Sequence, residues 1–199
     1  MAAQEKVLIE SAAELHSWLL KNFRNSESVW LVKWKKNSGM PYFSYDEMVD
    51  ELIAFGWVDS LPRKLDERQT MCRISPRNPK SNWSKVNKDR AERLLRKGRM
   101  HPAGLALVEQ AKENGAWTFL DDVEQLIIPP DLESALSANK QAAFYFERFP
   151  KSSKRGILEW IKNAKRAPTR KSRIEETVNK AALNIKANHP KGRGTGPKE

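Results

Sequence analysis

From residue 12 the apolar positions recur at helical spacing, with Leu15, Trp18, Leu19 and Phe23 forming one stripe. Ser11 followed by Glu14 is a capping-box pair, so a helix over 12–23 is predicted. In VWLVKWKK the period changes to two: Trp30, Val32 and Trp34 fall on one side, Leu31, Lys33 and Lys35 on the other, as in a strand. NSGMP breaks that strand, and PYFSY predicts a second, short one. Ser44 or Tyr45 then opens a helix carrying Met48, Leu52 and Phe55 inward, stopped at Gly56. WVDSLPRKLD and RQTMCRISP predict two more strands joined around residues 66–68, and Pro62 assigns part of the first to a sheet edge.

Beyond Ser84 the helical period dominates. Ser84 caps a helix with Val86, Ala91, Leu94 and Leu95 inward and Gly98 as its stop; Pro102 opens another that ends at Gly115. DDVEQLIIPP reads as an acidic connector. Asp131 caps the next helix, and Phe144, Phe146 and Phe149 are available for burial in the one after. Ser152 or Ser153 caps a helix over KRGILEWIKNAKR, and Pro168 starts a last one with Ile174, Val178, Ala181 or Ala182, and Ile185 as its stripe. The fold class expected is α+β, a small antiparallel sheet in the N-terminal half followed by an all-helical C-terminal half. The expected domains are 1–125, 126–188 and a disordered basic tail over 189–199.

Composition narrows the class. No apolar run approaches the roughly 20 residues of a membrane-spanning helix. Charges near the start interrupt any signal-peptide core, and Cys72 is the single cysteine, so a reducing, cytoplasmic setting is expected. Three scattered histidines and one cysteine give no metal-ligand spacing, and no cofactor motif is present. The net charge of +11 is segregated: residues 62–99 hold thirteen Lys/Arg against four Asp/Glu, and residues 151–199 hold fourteen against four. Such blocks favour an anionic small molecule, an acidic partner or nucleic acid.

The candidate site is the segment from Arg73 through Arg77 and Lys80 to Trp83 and Ser84. Two prolines stiffen it and place cations beside the free N–H groups of a helix start. Trp34, Lys35, Trp57 and Asp59 are expected nearby on the sheet, with Asp59 forming an ion pair with Arg73 or Arg77, or acting as a base. A second basic corner comprises Lys165, Arg166, Arg170, Lys171 and Arg173. No catalytic triad or phosphate-binding glycine loop is present, so a binding role is expected over catalysis.

The segments VWLVKWKK, AFGWVDS, RKLDERQTMCRISPRNPKSNWSKVNKDRAERLLRKGRMHPAGLALVEQAKENGAW, IPPDLESAL and FYFERFPKSSKRGILEWIKNAKRAPTRKSRIEETV resemble the YdeI/OmpD-associated family of bacterial proteins over roughly residues 11–185. The last looks like that family's bacteriocin-protection domain. The resemblance implies a non-enzymatic role tied to bacteriocin or antimicrobial-peptide tolerance. This chain departs from the family's pattern at Ala54, often Cys, and at His101, often a small hydroxyl residue. The first departure argues against a cysteine nucleophile. The second reads as a change of helix cap.

Overall fold

The computed structural model describes residues 5–24 and 27–188; the tail expected over 189–199 lies outside the described residues. The chain forms two compact units that divide between Phe119 and Leu120.

The first unit is built on four strands, β1 (Lys6–Leu8), β2 (Val29–Trp34), β3 (Trp57–Lys64) and β4 (Gln69–Pro76), in the order β1-β2-β4-β3. β4 pairs antiparallel with both β2 and β3, while β1 joins β2 in parallel, so the sheet is mixed rather than wholly antiparallel. β1 is too short to show a period. PYFSY is not a strand: its last residues start a helix, because Ser44 accepts the Glu47 N–H and Glu47 accepts the Ser44 N–H, a complete capping box. β3 is the edge strand, and its register slips between Ser60 and Arg63, where Leu61 adopts a left-handed φ of 45° ahead of Pro62.

The helices are α1 (Ala12–Asn22), α2 (Tyr45–Ala54), α3 (Lys85–Arg96) and α4 (Pro102–Glu113). One sheet face, carrying Val29, Leu31, Cys72, Ile74 and Trp57, closes against Leu15 and Leu19 of α1 and Met48 and Leu52 of α2. Full burial of such side chains is worth about 1.5–3 kcal/mol each. The acids on α2 meet the cations of and just beyond α3: Asp50 pairs with Arg90 and Arg93, Asp46 with Arg90, and the buried Glu51 with Arg99 and, at 2.8 Å, with His16. α4 crosses the end of α2 at contact distance. A Cβ on Gly104 would lie 2.2 Å from the Ala54 carbonyl oxygen, and His101 donates its N–H to that same oxygen at 3.0 Å. His101 is a cap, its Nδ1 accepting the Ala103 N–H at 3.2 Å while its ring stacks on Phe55.

The second unit contains α5 (Asp121–Glu124), α6 (Pro130–Ser137), α7 (Lys140–Arg148), α8 (Lys151–Lys162) and α9 (Ala167–Ala182). The first residues of the expected acidic connector are therefore helical, with Val123 buried. Asp131 lies inside α6, which starts from Pro129, and its carboxylate is committed to Arg170. Ser152 and Ser153 lie within the first turn of α8, which starts from Pro150. Phe146 and Phe149 are buried but Phe144 is exposed, with Arg148 stacked over its ring at 3.5 Å. On α9, Thr177 joins Ile174 and Ala181 in the buried row, its hydroxyl returned to the Arg173 carbonyl at 2.7 Å.

The helix crossing at Gly104 gives a direct test. Gly104→Ala should destabilise the first unit by about 1–3 kcal/mol in denaturant unfolding, as overpacking does. Gly156→Ala, at a helical position with open space, should stabilise the second by up to about 1 kcal/mol.

Candidate functional site

The core face of β2 runs out at Lys33. Alternation places it beyond Leu31 on the inward side, opposite Thr70 of β4, and only 8% of it is exposed. Its ammonium donates to the Phe43 carbonyl at 2.6 Å and lies 4.5 Å from the Phe43 ring centroid and 5.1 Å from that of Tyr42. It forms no ion pair among the described residues. Burial pulls its pKa down from the ordinary lysine value, with Glu47 and Cys72 acting more weakly in the opposite sense. An ammonium has three donors, and one is accounted for by Phe43.

Around Lys33 a pocket of about 280 Å³ opens where α2 begins. Lys33, Lys35 and Lys36 supply its cations, Trp34, Tyr42 and Tyr45 its rings, and Met48, Pro62, Thr70, Met71 and Cys72 the remaining wall. No carboxylate lines it. Two acids lie beside it: Glu47, whose charge reaches Lys33 without forming an ion pair, and Asp59, which accepts the Tyr45 hydroxyl at 2.8 Å and sits 4.0 Å from the Cys72 sulfur. Burial, then the bond to Asp59, push the Tyr45 phenol up to about 12. Burial and the charge of Asp59 likewise push the Cys72 thiol up, and it donates to the Ser60 carbonyl at 3.1 Å. Cys72 is therefore held as a thiol, the unreactive form. The pocket offers fixed positive charge, aromatic and thioether surface, and two protonated weak acids.

The residues expected to form one site are divided among several places. Trp34 and Lys35 line the pocket; Lys35 also ties the β3–β4 turn by donating to the carbonyls of Asp66 at 2.7 Å and Glu67 at 3.1 Å. Trp57 and Trp83 are sealed in the core at 1% and 2% exposure. Arg73 points to the opposite sheet face and donates to the Ser28 hydroxyl at 2.9 Å, so it does not pair with Asp59. Arg77 also makes no such pair and does not project outward. It is buried at 7% exposure, lies 3.9 Å over the Trp83 ring and donates to the carbonyls of Asn82 at 2.6 Å and Ser81 at 3.4 Å. Burial lowers its pKa to about 10, and its Nε has no acceptor. Lys80 is exposed, and Ser84 caps α3 by accepting the Asn87 N–H at 3.4 Å. The proline-flanked segment thus folds around its own arginine.

In the C-terminal basic corner, Lys165 and Arg166 are exposed. Arg170 forms a two-pronged pair with Asp131 at 2.6 and 2.8 Å, and that bond holds the Asp131 carboxyl below its ordinary value. Arg173 donates to the Trp160 carbonyl, and Lys171 approaches Glu175 at 4.0 Å. Lys33, Lys36, Tyr42, Tyr45 and Cys72 were not expected in a site. The signal for Lys33 was the period of β2 itself, which puts a lysine in line with Leu31 on the side that becomes the core.

Residues 7–107, just over half of the chain, match the family model described as a domain of unknown function (DUF8412). The chain belongs to that family. The DUF8412 match runs from β1 into α4 and so contains the whole pocket. Residues 125–184 match a second model, described as bacteriocin-protection, YdeI or OmpD-associated, in a partial match of the chain that agrees with the resemblance seen in its sequence. Comparison with curated proteins and with solved structures gave no match. Among the described residues no group of His, Cys, Asp or Glu side chains is placed to hold a metal ion, and no helix is long and apolar enough to cross a membrane.

The phenol at the pocket mouth can be titrated. Of the three tyrosines, one should ionise near 12 by ultraviolet absorbance. Tyr45→Phe should remove that step, and Asp59→Asn should move it toward 10.0. Because the folded-state value is the higher one, the associated stability is present below the unfolded tyrosine's pKa and is lost as the pH rises toward 12.

Proposed function

We propose that the chain is a non-enzymatic, cytoplasmic binding protein whose DUF8412 domain holds a small anionic ligand with an aromatic or apolar body in the Lys33 pocket. The observation that carries this reading is a buried ammonium with no ion pair among the described residues, Glu47 acting on it only from a longer distance, beside a cavity that three lysines and no carboxylate line. Taking such a charge out of water is costly unless it is paired, and an incoming carboxylate, sulfonate or phosphate would supply the pair. Trp34, Tyr42 and Tyr45 provide flat surface for the body of the ligand, as small-molecule sites commonly do. The match of the second unit to a bacteriocin-protection family links this binding to tolerance of bacteriocins or antimicrobial peptides. A chain of net charge +11 repels cationic peptides, so protection would run through the ligand rather than through capture of the peptide. A catalytic pairing of Asp59 with Arg77 has less support, since each is engaged by its own neighbours.

Salicylate, an aromatic carboxylate, is a suitable probe by calorimetric titration. Lys33→Met should weaken its binding about 10- to 100-fold, the range for a charge-assisted hydrogen bond. Lys80→Met, outside the pocket, should leave it unchanged. Equal affinity in Lys33→Met and in Lys35→Met/Lys36→Met would contradict the reading, as would saturable binding of neither salicylate nor inorganic phosphate by the unaltered protein.

A further inference from the structure

The other face of the sheet is a second surface, which shares Trp34 and Met71 with the wall of the Lys33 pocket. Trp30, Val32 and Trp34 point there from β2, joined by Arg73 and Met71 of β4 and by Lys6 of β1 through the strand register. Val32 is 5% exposed, yet it lies outside the core that the helices of this unit build; Trp30 and Trp34 also lie outside it. Arginines lie beside this row's two rings. The Arg63 guanidinium lies 5.2 Å from the Trp30 ring centroid, and that of Arg68 lies 5.5 Å from the Trp34 ring centroid.

None of the three arginines is paired with a carboxylate among the described residues. Arg68 donates to the Ser38 carbonyl at 3.2 Å and Arg73 to the Ser28 hydroxyl, while Arg63 has the Trp30 ring. Elsewhere in this unit Arg90 and Arg93 on α3 are met by Asp46 and Asp50. Glu10 brings a carboxylate to this side, where it accepts the Trp34 indole N–H at 2.9 Å. The face therefore combines two aromatic rings, guanidinium groups within cation–π distance of them and arginines that form no ion pair among the described residues.

We propose that this half-exposed sheet face binds single-stranded nucleic acid, with unstacked bases lying on the Trp30 and Trp34 rings and phosphates meeting Arg63, Arg68 and Arg73. Aromatic rings and guanidinium planes on a sheet surface are the pairing that single-strand recognition uses, since every base has a stackable face and every nucleotide a negative charge. Trp30 and Trp34 are four residues apart on one strand, a span of about 13 Å that suits a few nucleotides. A duplex keeps its base faces stacked and offers only phosphates. An acidic polypeptide matches the charge but brings no rings.

The test is fluorescence anisotropy of the full chain with a labelled oligothymidylate of about ten nucleotides, within the site sizes of single-strand binding folds. Expected is saturable binding at low salt that falls as salt rises and exceeds binding to a duplex of equal length. Trp30→Ala should weaken it roughly ten-fold or more. Arg63→Glu, at an exposed edge position where folding is not at stake, should weaken it and lower the salt slope by about 0.7 or more. Lys33→Met should leave it unchanged, separating this face from the pocket. No binding at low salt overturns the proposal. So does binding that both face variants leave intact, or equal binding of the duplex or competition by polyglutamate at equal charge.

Discussion

Helix α2 has to satisfy four neighbours at once, and the architecture of the first unit follows from how it does so. Its apolar side closes the core face of the sheet and meets α1. Its acids, Asp46, Asp50 and Glu51, neutralise Arg90, Arg93 and Arg99. Its last carbonyls touch α4 so closely that only glycine fits at Gly104. Its first turn, fixed by the Ser44–Glu47 capping box, ends just short of the sheet's edge and leaves Tyr45 and Met48 as one side of the Lys33 pocket. The pocket is thus the space that a helix with three other obligations does not fill.

The segregated charge of the sequence resolves into cations with three different fates. Arg90, Arg93 and Arg99, on and just after α3, are paired with the acids of α2. Arg77 is buried and solvated by the carbonyls of Ser81 and Asn82 and by the face of Trp83, a local arrangement that pins the chain entering α3. Lys33, Lys35 and Lys36 around the pocket, and Arg63, Arg68 and Arg73 on the other sheet face, form no ion pair with a carboxylate among the described residues. A lysine whose folded-state pKa is depressed, as burial makes Lys33, costs stability while it is charged at neutral pH. That cost fades as the pH rises from the depressed value toward the ordinary lysine value, and an anionic ligand would offset it at neutral pH.

Much of the fold could be read from period and punctuation. The alternation of β2, the caps at Ser11 and Ser84, the stops at Gly56, Gly98 and Gly115, and the edge role given by Pro62 are local signals that the folded chain retains. β1 and the parallel pairing it brings were not legible, because three residues show no period and their partner is more than twenty residues away. Exposure of Phe144 and burial of Thr177 depend on which side of a helix its neighbours occupy, which an amphipathic stripe defines only to within a residue. The site was legible only in part. Trp34 and Lys35 are in it, but Arg77 looked like an outward cation because sequence cannot show a side chain turning back onto its own loop. Lys33 shared a strand side with Leu31, but its burial was not legible because Tyr42 and Phe43, nine and ten residues later, close over it.

The account rests on Lys33 being a buried ammonium short of a negative partner. Nitrogen-15 labelling of lysine side chains and a pH titration by nuclear magnetic resonance would observe that group directly, with Lys33→Met giving its assignment. The account predicts one lysine titrating clearly below the others, and a rise of its midpoint when salicylate is added. Titration of Lys33 together with the exposed lysines near 10.5, unmoved by salicylate, would contradict it.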